Sequence, residues 1–257
     1  MPFYYMEETM SNLGKIEGRN PVMEALKSDR PIDKIYVKKG DVSGSLIKIL
    51  NIAKDKKIQI SYVDKFKLDE MSEAGSHQGV IAVAPVKEYV TVEDILNVAK
   101  EKGTNHFIVI ADEIADPHNL GAIIRTANAA GADGVIISKH RAAGLTPVTE
   151  KSSAGATEFT PVAKVTNIAK TIDYLKDNNI WVIGSDMDGT TTIYDQDFSG
   201  NIAIVIGSEG FGMSKLVKDK CDFITNIPMY GEITSLNASV AGALMIYEAV
   251  RYRNFKK

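Results

Sequence analysis

From Phe107 onward the apolar residues come in short, nearly unbroken runs: "FIVIAD", "GVIIS", "IWVIGSD", "IAIVIGSE" and "FITNIPM". Runs of this length, bounded by Gly, Asp and Asn, predict strands buried on both faces, as in a parallel sheet. Between them, "DPHNLGAIIRTANAAG", "TNIAKTIDYLKDNN" and "SKLVKDKC" show helical spacing, and a long last helix runs from about Ser235 to Tyr252. Strands alternating with helices predict an α/β fold with helices on both faces of the sheet. Asp116 caps the first of these helices, with Pro117 in its first turn. Thr234 or Ser235 is the expected cap of the last one, and its face Leu236, Val240, Leu244 and Tyr247 is expected to be core. Its small residues Ala238, Ser239, Ala241, Gly242 and Ala243 would let another backbone come close, within the chain or between subunits.

The first third reads differently. "NPVMEALKS" places Val22, Ala25 and Leu26 on one helix face, with Asn20 as cap and Pro21 in the first turn. "DKIYVKK", "IQISYVD" and "GVIAVAPV" predict strands, and "SGSLIKILNIAKDK" a helix capped by Ser43 or Ser45. This order predicts a small α/β sandwich ending near Val86. The expected organisation is a tail over 1–13, a small domain over 14–88, a linker over 89–104 with a helix at "TVEDILNVAKEKG", and a larger domain over 105–257.

Composition adds little beyond exclusions. The chain has 257 residues, 44% hydrophobic and 25% charged, ordinary for a soluble globular protein. Its net charge of -3 gives no global pull toward nucleic acid or membrane. The distribution of charge is more telling. Residues 34–67 hold nine Lys against three Asp, whereas residues from 89 to the end hold 16 basic and 20 acidic side chains. A basic module joined to an acidic one fits a protein that grips a polyanion with one half and works on it with the other. Cys221 is the only cysteine, and His77, His106, His118 and His140 are scattered, so neither a disulfide nor a metal site is expected. No apolar run approaches the ~20 residues of a membrane span. The opening "MPFYYMEETM" lacks the pattern of a signal peptide, so a cytoplasmic protein is expected.

In a parallel α/β sheet ligands sit beyond the strand C-termini, which here directs attention to loops 112–119, 184–190, 207–213 and 228–237. The third follows a strand and is rich in glycine, but Gly207, Gly210 and Gly212 read G-x-x-G-x-G, not the dinucleotide fingerprint. Glu209 in its middle would repel a pyrophosphate. Both features argue against a dinucleotide-dependent oxidoreductase. The loop is suited to close backbone approach to something neutral or cationic.

Three stretches, "DPHNLGAIIRTANAAG", "IVIGSEGFGMS" and "IPMYGEITSLNASVA", together resemble in order and spacing the three motifs of the SpoU (TrmH) family of RNA ribose 2′-O-methyltransferases. The segment from "IEGRNPVMEALKSDRPIDKIYV" to "SHQGVIA" is similar to that family's substrate-binding module, which is L30e-like. The resemblance spans about residues 14–255, with Met213 and Ala238 where the motifs carry Leu and Val. It implies a trefoil-knotted, parallel-sheet methyltransferase domain of SPOUT type behind a small L30e-like α/β domain. It implies S-adenosylmethionine as cofactor and a homodimer with knot helices at the interface. It implies a pocket lined by Gly184, Gly207, Ile227, Met229, Ser235, Leu236 and Ala238, reached largely through backbone groups. It marks Arg125, Asn119, Glu209, Ser235 and Asn237 as the polar set around the reacting ribose. A sulfonium cofactor without phosphate also suits Glu209. Arg125 is expected to hold and polarise the ribose-phosphate through its fork of donors, since a guanidinium with a pKa above ~12 is a poor base. The front module suggests 2′-O-methylation of a guanosine in large-subunit (23S) ribosomal RNA, free or within a pre-ribosomal particle. Transfer RNA is the alternative substrate, and a non-catalytic RNA-binding assembly factor the alternative class.

Overall fold

The computed structural model describes residues 13–255 apart from 29 and 41–43. Residues 1–12 of the expected tail and the candidate cap Ser43 therefore lie outside the described residues, while Leu13 begins β1. The chain begins with β1 (Leu13–Glu17), α1 (Arg19–Lys27), β2 (Lys34–Lys38), α2 (Ser45–Asp55), β3 (Gln59–Val63), α3 (Lys65–Met71) and β4 (Val80–Pro85). There follow α4 (Val92–Lys102), β5 (Phe107–Ala111), α5 (Pro117–Ala129), β6 (Gly134–Ser138), α6 (Pro147–Ser152), β7 (Val162–Val165) and α7 (Ile168–Asp177). The last elements are β8 (Trp181–Ser185), β9 (Thr191–Thr192), β10 (Ile202–Ile206), α8 (Lys215–Lys220), β11 (Phe223–Asn226) and α9 (Ala238–Phe255).

These elements form two compact units. One runs through Glu88 and takes in Leu145–Phe159, a segment the sequence reading left in the larger domain. Its sheet has the order β1-β4-β2-β3, with β4 antiparallel to both neighbours and β2 parallel to β3. Val22, Ala25 and Leu26 of α1 and Leu46, Ile49 and Ala53 of α2 close over Ile35, Val37, Val80 and Ala82, as the helical spacing requires. Asn20 lies inside α1, not at its cap, because the chain turns into the helix at Gly18 with φ 97°. Gly44 likewise precedes α2, which makes Ser45 its first residue rather than a cap.

The segment 145–159 is fixed to this unit by a buried ionic cluster. Arg30 Nη1 donates to Glu158 Oε1 at 2.6 Å and reaches Glu150 Oε1 at 3.5 Å, while Nη2 donates to the Pro85 carbonyl at 2.7 Å. Gly155, at φ 91°, sits where a Cβ would lie 2.7 Å from Glu24 Cβ, so only glycine lets the segment settle on α1. Burial raises the Glu150 carboxyl to about 7, against the pull of Arg30. A carboxyl held above its unfolded value favours folding while it is protonated, and that contribution fades as pH rises through the folded pKa. Stability should therefore fall between about pH 4.5 and pH 7, and Glu150→Gln should flatten that slope in urea unfolding across this range.

The second unit comprises Tyr89–Gly144 and Thr160 onward. Its seven strands pair in parallel in the order β7-β6-β5-β10-β8-β11-β9. The apolar runs form the middle of the sheet, with Ile108, Ile110, Ile136, Val182, Ala203 and Val205 all buried. The expected linker is part of this core: α4 contributes Ile95, Leu96 and Ala99 to the buried set, behind a Thr91–Asp94 capping box. Strand β7 carried no usable signal, since only Val162 and Ala163 of its four residues are buried. In α9 the expected core face is the exposed one: Val240, Leu244 and Tyr247 are 47%, 39% and 49% exposed. The buried face is Ala238, Gly242, Met245, Ile246 and Ala249. Both sets have helical spacing on a helix that is apolar most of the way round, so periodicity alone does not choose between them. A Cβ on Gly242 would lie 2.6 Å from Ile206 Cδ1 and 3.6 Å from Ile123 Cγ1, so the small residues seat α9 on β10 and α5 of its own chain.

Candidate active site

Because β5, β10, β8 and β11 are parallel neighbours, the loops that follow them emerge side by side at one end of the sheet. Asp112, at the end of β5, is buried and accepts the Ser214 N–H at 2.9 Å, which ties the first loop to the start of α8. Burial raises the Asp112 carboxyl above its usual value, opposed by its bonds to Ser214. Sequence reasoning passed over this residue, although an acid ending an apolar run was visible in "FIVIAD". In the second loop Lys218 pairs with Asp186 at 2.9 Å and Asp188 at 3.2 Å.

The centre of the site is a polar cluster drawn from three loops. Asp116 caps α5 by accepting the His118 N–H, with Pro117 at the first position, as the sequence indicates. This start buries Asn119 in the first turn. Its Nδ2 donates to Glu209 Oε2 at 3.2 Å, and its Oδ1 accepts from Asn237 Nδ2 at 3.0 Å. Asn237 Nδ2 also reaches Glu209 Oε2, at 3.5 Å. Asn237, rather than Thr234 or Ser235, caps α9: its Oδ1 accepts from the N–H groups of Ser239 and Val240 at 3.0 and 3.3 Å. The helix therefore starts three residues later than the sequence reading placed it.

Arg125 and Ser235 do not join this cluster. Six residues after Asn119, Arg125 lies about 120° round the helix. Its side chain is exposed and has no hydrogen bond or ion pair among the described residues. Ser235 is likewise exposed on the loop before α9. Glu209 Oε1 takes no hydrogen bond among the described residues, so one carboxylate oxygen remains open as an acceptor.

The expected pocket residues fall on the same loops. Gly184 is buried in β8, where a Cβ would strike Met213 Cε at 2.7 Å. Gly207 carries the chain back onto itself, with the Gly212 carbonyl carbon 2.3 Å from where its Cβ would be. Ile227 and Leu236 are half-buried, Met229 is exposed, and Ala238 is buried. Between Ile227 and Leu236, no backbone or side-chain group takes part in a hydrogen bond among the described residues. Ten residues of unpaired backbone beside two half-buried apolar side chains are suited to a flat heterocycle read by main-chain donors and acceptors. No phosphate-gripping element is present there, and no group of His, Cys, Asp and Glu among the described residues could hold a metal ion.

Comparison with known proteins decides what kind of site this is. Residues 106–247 match the SpoU rRNA methylase family, and residues 15–90 match the RNA 2′-O ribose methyltransferase substrate-binding domain. The chain belongs to the SpoU family. A TrmH-family tRNA/rRNA methyltransferase homologue from Bacillus subtilis (strain 168) is 47% identical over 237 residues, covering 92% of this chain and 95% of its own. One from Staphylococcus aureus (strain MSSA476) is 48% identical, covering 97% and 98%. The SpoU methyltransferase AviRb from Streptomyces viridochromogenes, solved in complex with AdoMet, superposes with a TM-score of 0.79 at 25% identity, covering 97% of this chain and 93% of that one. The protein is accordingly an S-adenosylmethionine-dependent RNA methyltransferase of the SpoU family. The Asn119–Glu209–Asn237 cluster ties the start of α5 to the turn after β10 and to the cap of α9. Asn237→Ala removes a helix cap and a link in the cluster. It should lower the unfolding free energy by about 1 kcal/mol in urea titration.

Proposed function

We propose that this protein is a homodimeric, cytoplasmic enzyme that methylates the 2′-hydroxyl of a guanosine in large-subunit (23S) ribosomal RNA. The observation that carries the reading is the convergence of Asn119, Glu209 and Asn237 beside a loop with unpaired backbone. S-adenosylmethionine supplies an electrophilic methyl group and needs no phosphate site or metal. Gly184, Gly207, Ile227, Met229, Ser235, Leu236 and Ala238 would form its pocket, with main-chain groups of 227–236 reading the adenine.

The ribose chemistry falls to the polar cluster. The two asparagine amides orient Glu209 through Oε2, which leaves Oε1 to accept the hydrogen bond of the 2′-hydroxyl. That contact would fix the oxygen for in-line attack and favour loss of its proton. Arg125 is open to solvent and has no carboxylate partner among the described residues, which supports a role in holding an RNA phosphate with its fork of donors. Ser235 would add a hydroxyl contact.

The small unit supports RNA as substrate. Eight of the nine lysines in its basic stretch are exposed, and Lys38, Lys39, Lys48, Lys54 and Lys57 form no ion pair among the described residues. Unpaired surface cations are what a polyanion displaces counterions to reach. Support for the dimer comes from α9, where Val240, Leu244 and Tyr247 present an uncovered apolar stripe. The family's trefoil knot is part of the reading.

The test is methyl transfer from labelled S-adenosylmethionine to ribosomal and transfer RNA from cells lacking the gene, followed by mapping of the label. One 2′-O-methylguanosine in large-subunit RNA is the expected product. Label in transfer RNA would keep the chemistry and overturn the substrate. Cofactor binding without transfer to either RNA would point to a pre-ribosomal particle as the substrate, and loss of both binding and transfer would favour the assembly-factor reading. Arg125→Ala should reduce transfer at least a hundredfold with S-adenosylmethionine affinity unchanged, a loss on the order of 3 kcal/mol. Reduced cofactor affinity would instead make Arg125 structural. Leu244→Glu should halve the mass seen in sedimentation, and an unchanged mass would remove the stripe from the subunit contact.

A further inference from the structure

The turn that presents Glu209 also presents an aromatic ring that the polar cluster does not use. Ser208 and Gly212 close the turn with reciprocal backbone hydrogen bonds of 2.9 Å each, and Ser208 Oγ adds a bond of 3.1 Å to the Gly212 carbonyl. Glu209, Gly210 and Phe211 form the tip, and Phe211 lies between two glycines at φ 85° and 67°. The phenyl ring is 95% exposed. The turn beneath it is pinned by the close packing of Gly207 on Gly212 and Met213, so the ring stands on a fixed base. A phenylalanine this exposed contributes nothing to the core, and it is set on the same turn as Glu209. Two residues from Glu209, its Cα lies within about 8 Å of the residue that faces the ribose. That is the reach of a base at, or next to, the reacting nucleotide.

We infer that Phe211 is a stacking platform for an unpaired nucleobase of the RNA substrate, at or beside the nucleotide whose ribose enters the Asn119–Glu209–Asn237 cluster. The inference rests on the proposed RNA methylation. Every base offers a π-face, and aromatic side chains stack on bases splayed out of single strands and loops. A second copy of this chain is the competing occupant, and the surroundings favour the base. The apolar stripe on α9 is a continuous helix face of the kind subunits bury. Phe211 instead stands at the tip of a turn whose adjoining carboxylate joins the polar cluster, with Tyr230 and Ile233 also exposed on the 227–236 loop.

The test uses the full-length chain with Phe211→Ala, Phe211→Tyr and Phe211→Trp. The alanine variant should raise KM for RNA about tenfold, with kcat, S-adenosylmethionine affinity and sedimentation mass unchanged, and the tyrosine variant should restore KM. The tryptophan variant should gain emission, beyond that of the native Trp181, that is quenched on titration with a single-stranded oligoribonucleotide. Unchanged KM in the alanine variant, or emission insensitive to RNA, would overturn the inference. A drop in sedimentation mass would assign the ring to a subunit contact and also overturn it. The quench needs no turnover. If it persists in a protein that methylates no RNA, the proposed reaction falls and the platform stands.

Discussion

The site depends on one small network, the two amides that converge on a single carboxylate oxygen. Asn119 Nδ2 and Asn237 Nδ2 both approach Glu209 Oε2, and Asn119 also accepts from Asn237. Each residue belongs to a different loop, and each loop leaves a different part of the sheet. The network therefore converts three independent loop conformations into one arrangement. Asn237 is also the cap of α9, so the position of the last helix and the shape of the site are set by the same side chain.

The sheet makes this convergence available. Strand β10 lies between β5 and β8, and β11 lies beyond β8, so four loops distant in sequence share one rim. Glycines permit the crossings. Gly207, Gly189 and Gly242 each occupy a place where a methyl group would meet neighbouring atoms at 2.3 to 2.6 Å. These contacts pull loops and helix tight against the strand ends, and the polar residues are then held on a rigid support. The small unit works by other means. Its tie to segment 145–159 is an Arg30 cluster whose removal would leave buried charge without a partner.

Much of this was legible in the sequence because the signals were local. The apolar runs gave the buried parallel strands, Asp116–Pro117 gave the start of α5, and G-x-x-G-x-G with Glu209 argued against a phosphate loop. The misread face of α9 has a clear cause. Val240, Leu244 and Tyr247 have the same period as Ala238, Gly242, Met245 and Ala249, so the helix alone does not say which face turns inward. The short β7, with two buried residues, carries too little pattern to be seen.

The sequence by itself determined the class of fold and the family, since each is written in runs, caps and motifs a few residues long. Tertiary structure alone decided which polar residues meet. It joined Asn119 to Glu209 and Asn237 across separations of 90 and 118 residues and left Arg125 facing solvent. It assigned α4 to the core of the second unit and 145–159 to the first. Such pairings depend on strand order and on the packing of one element against another, and neither leaves a periodic trace along the chain.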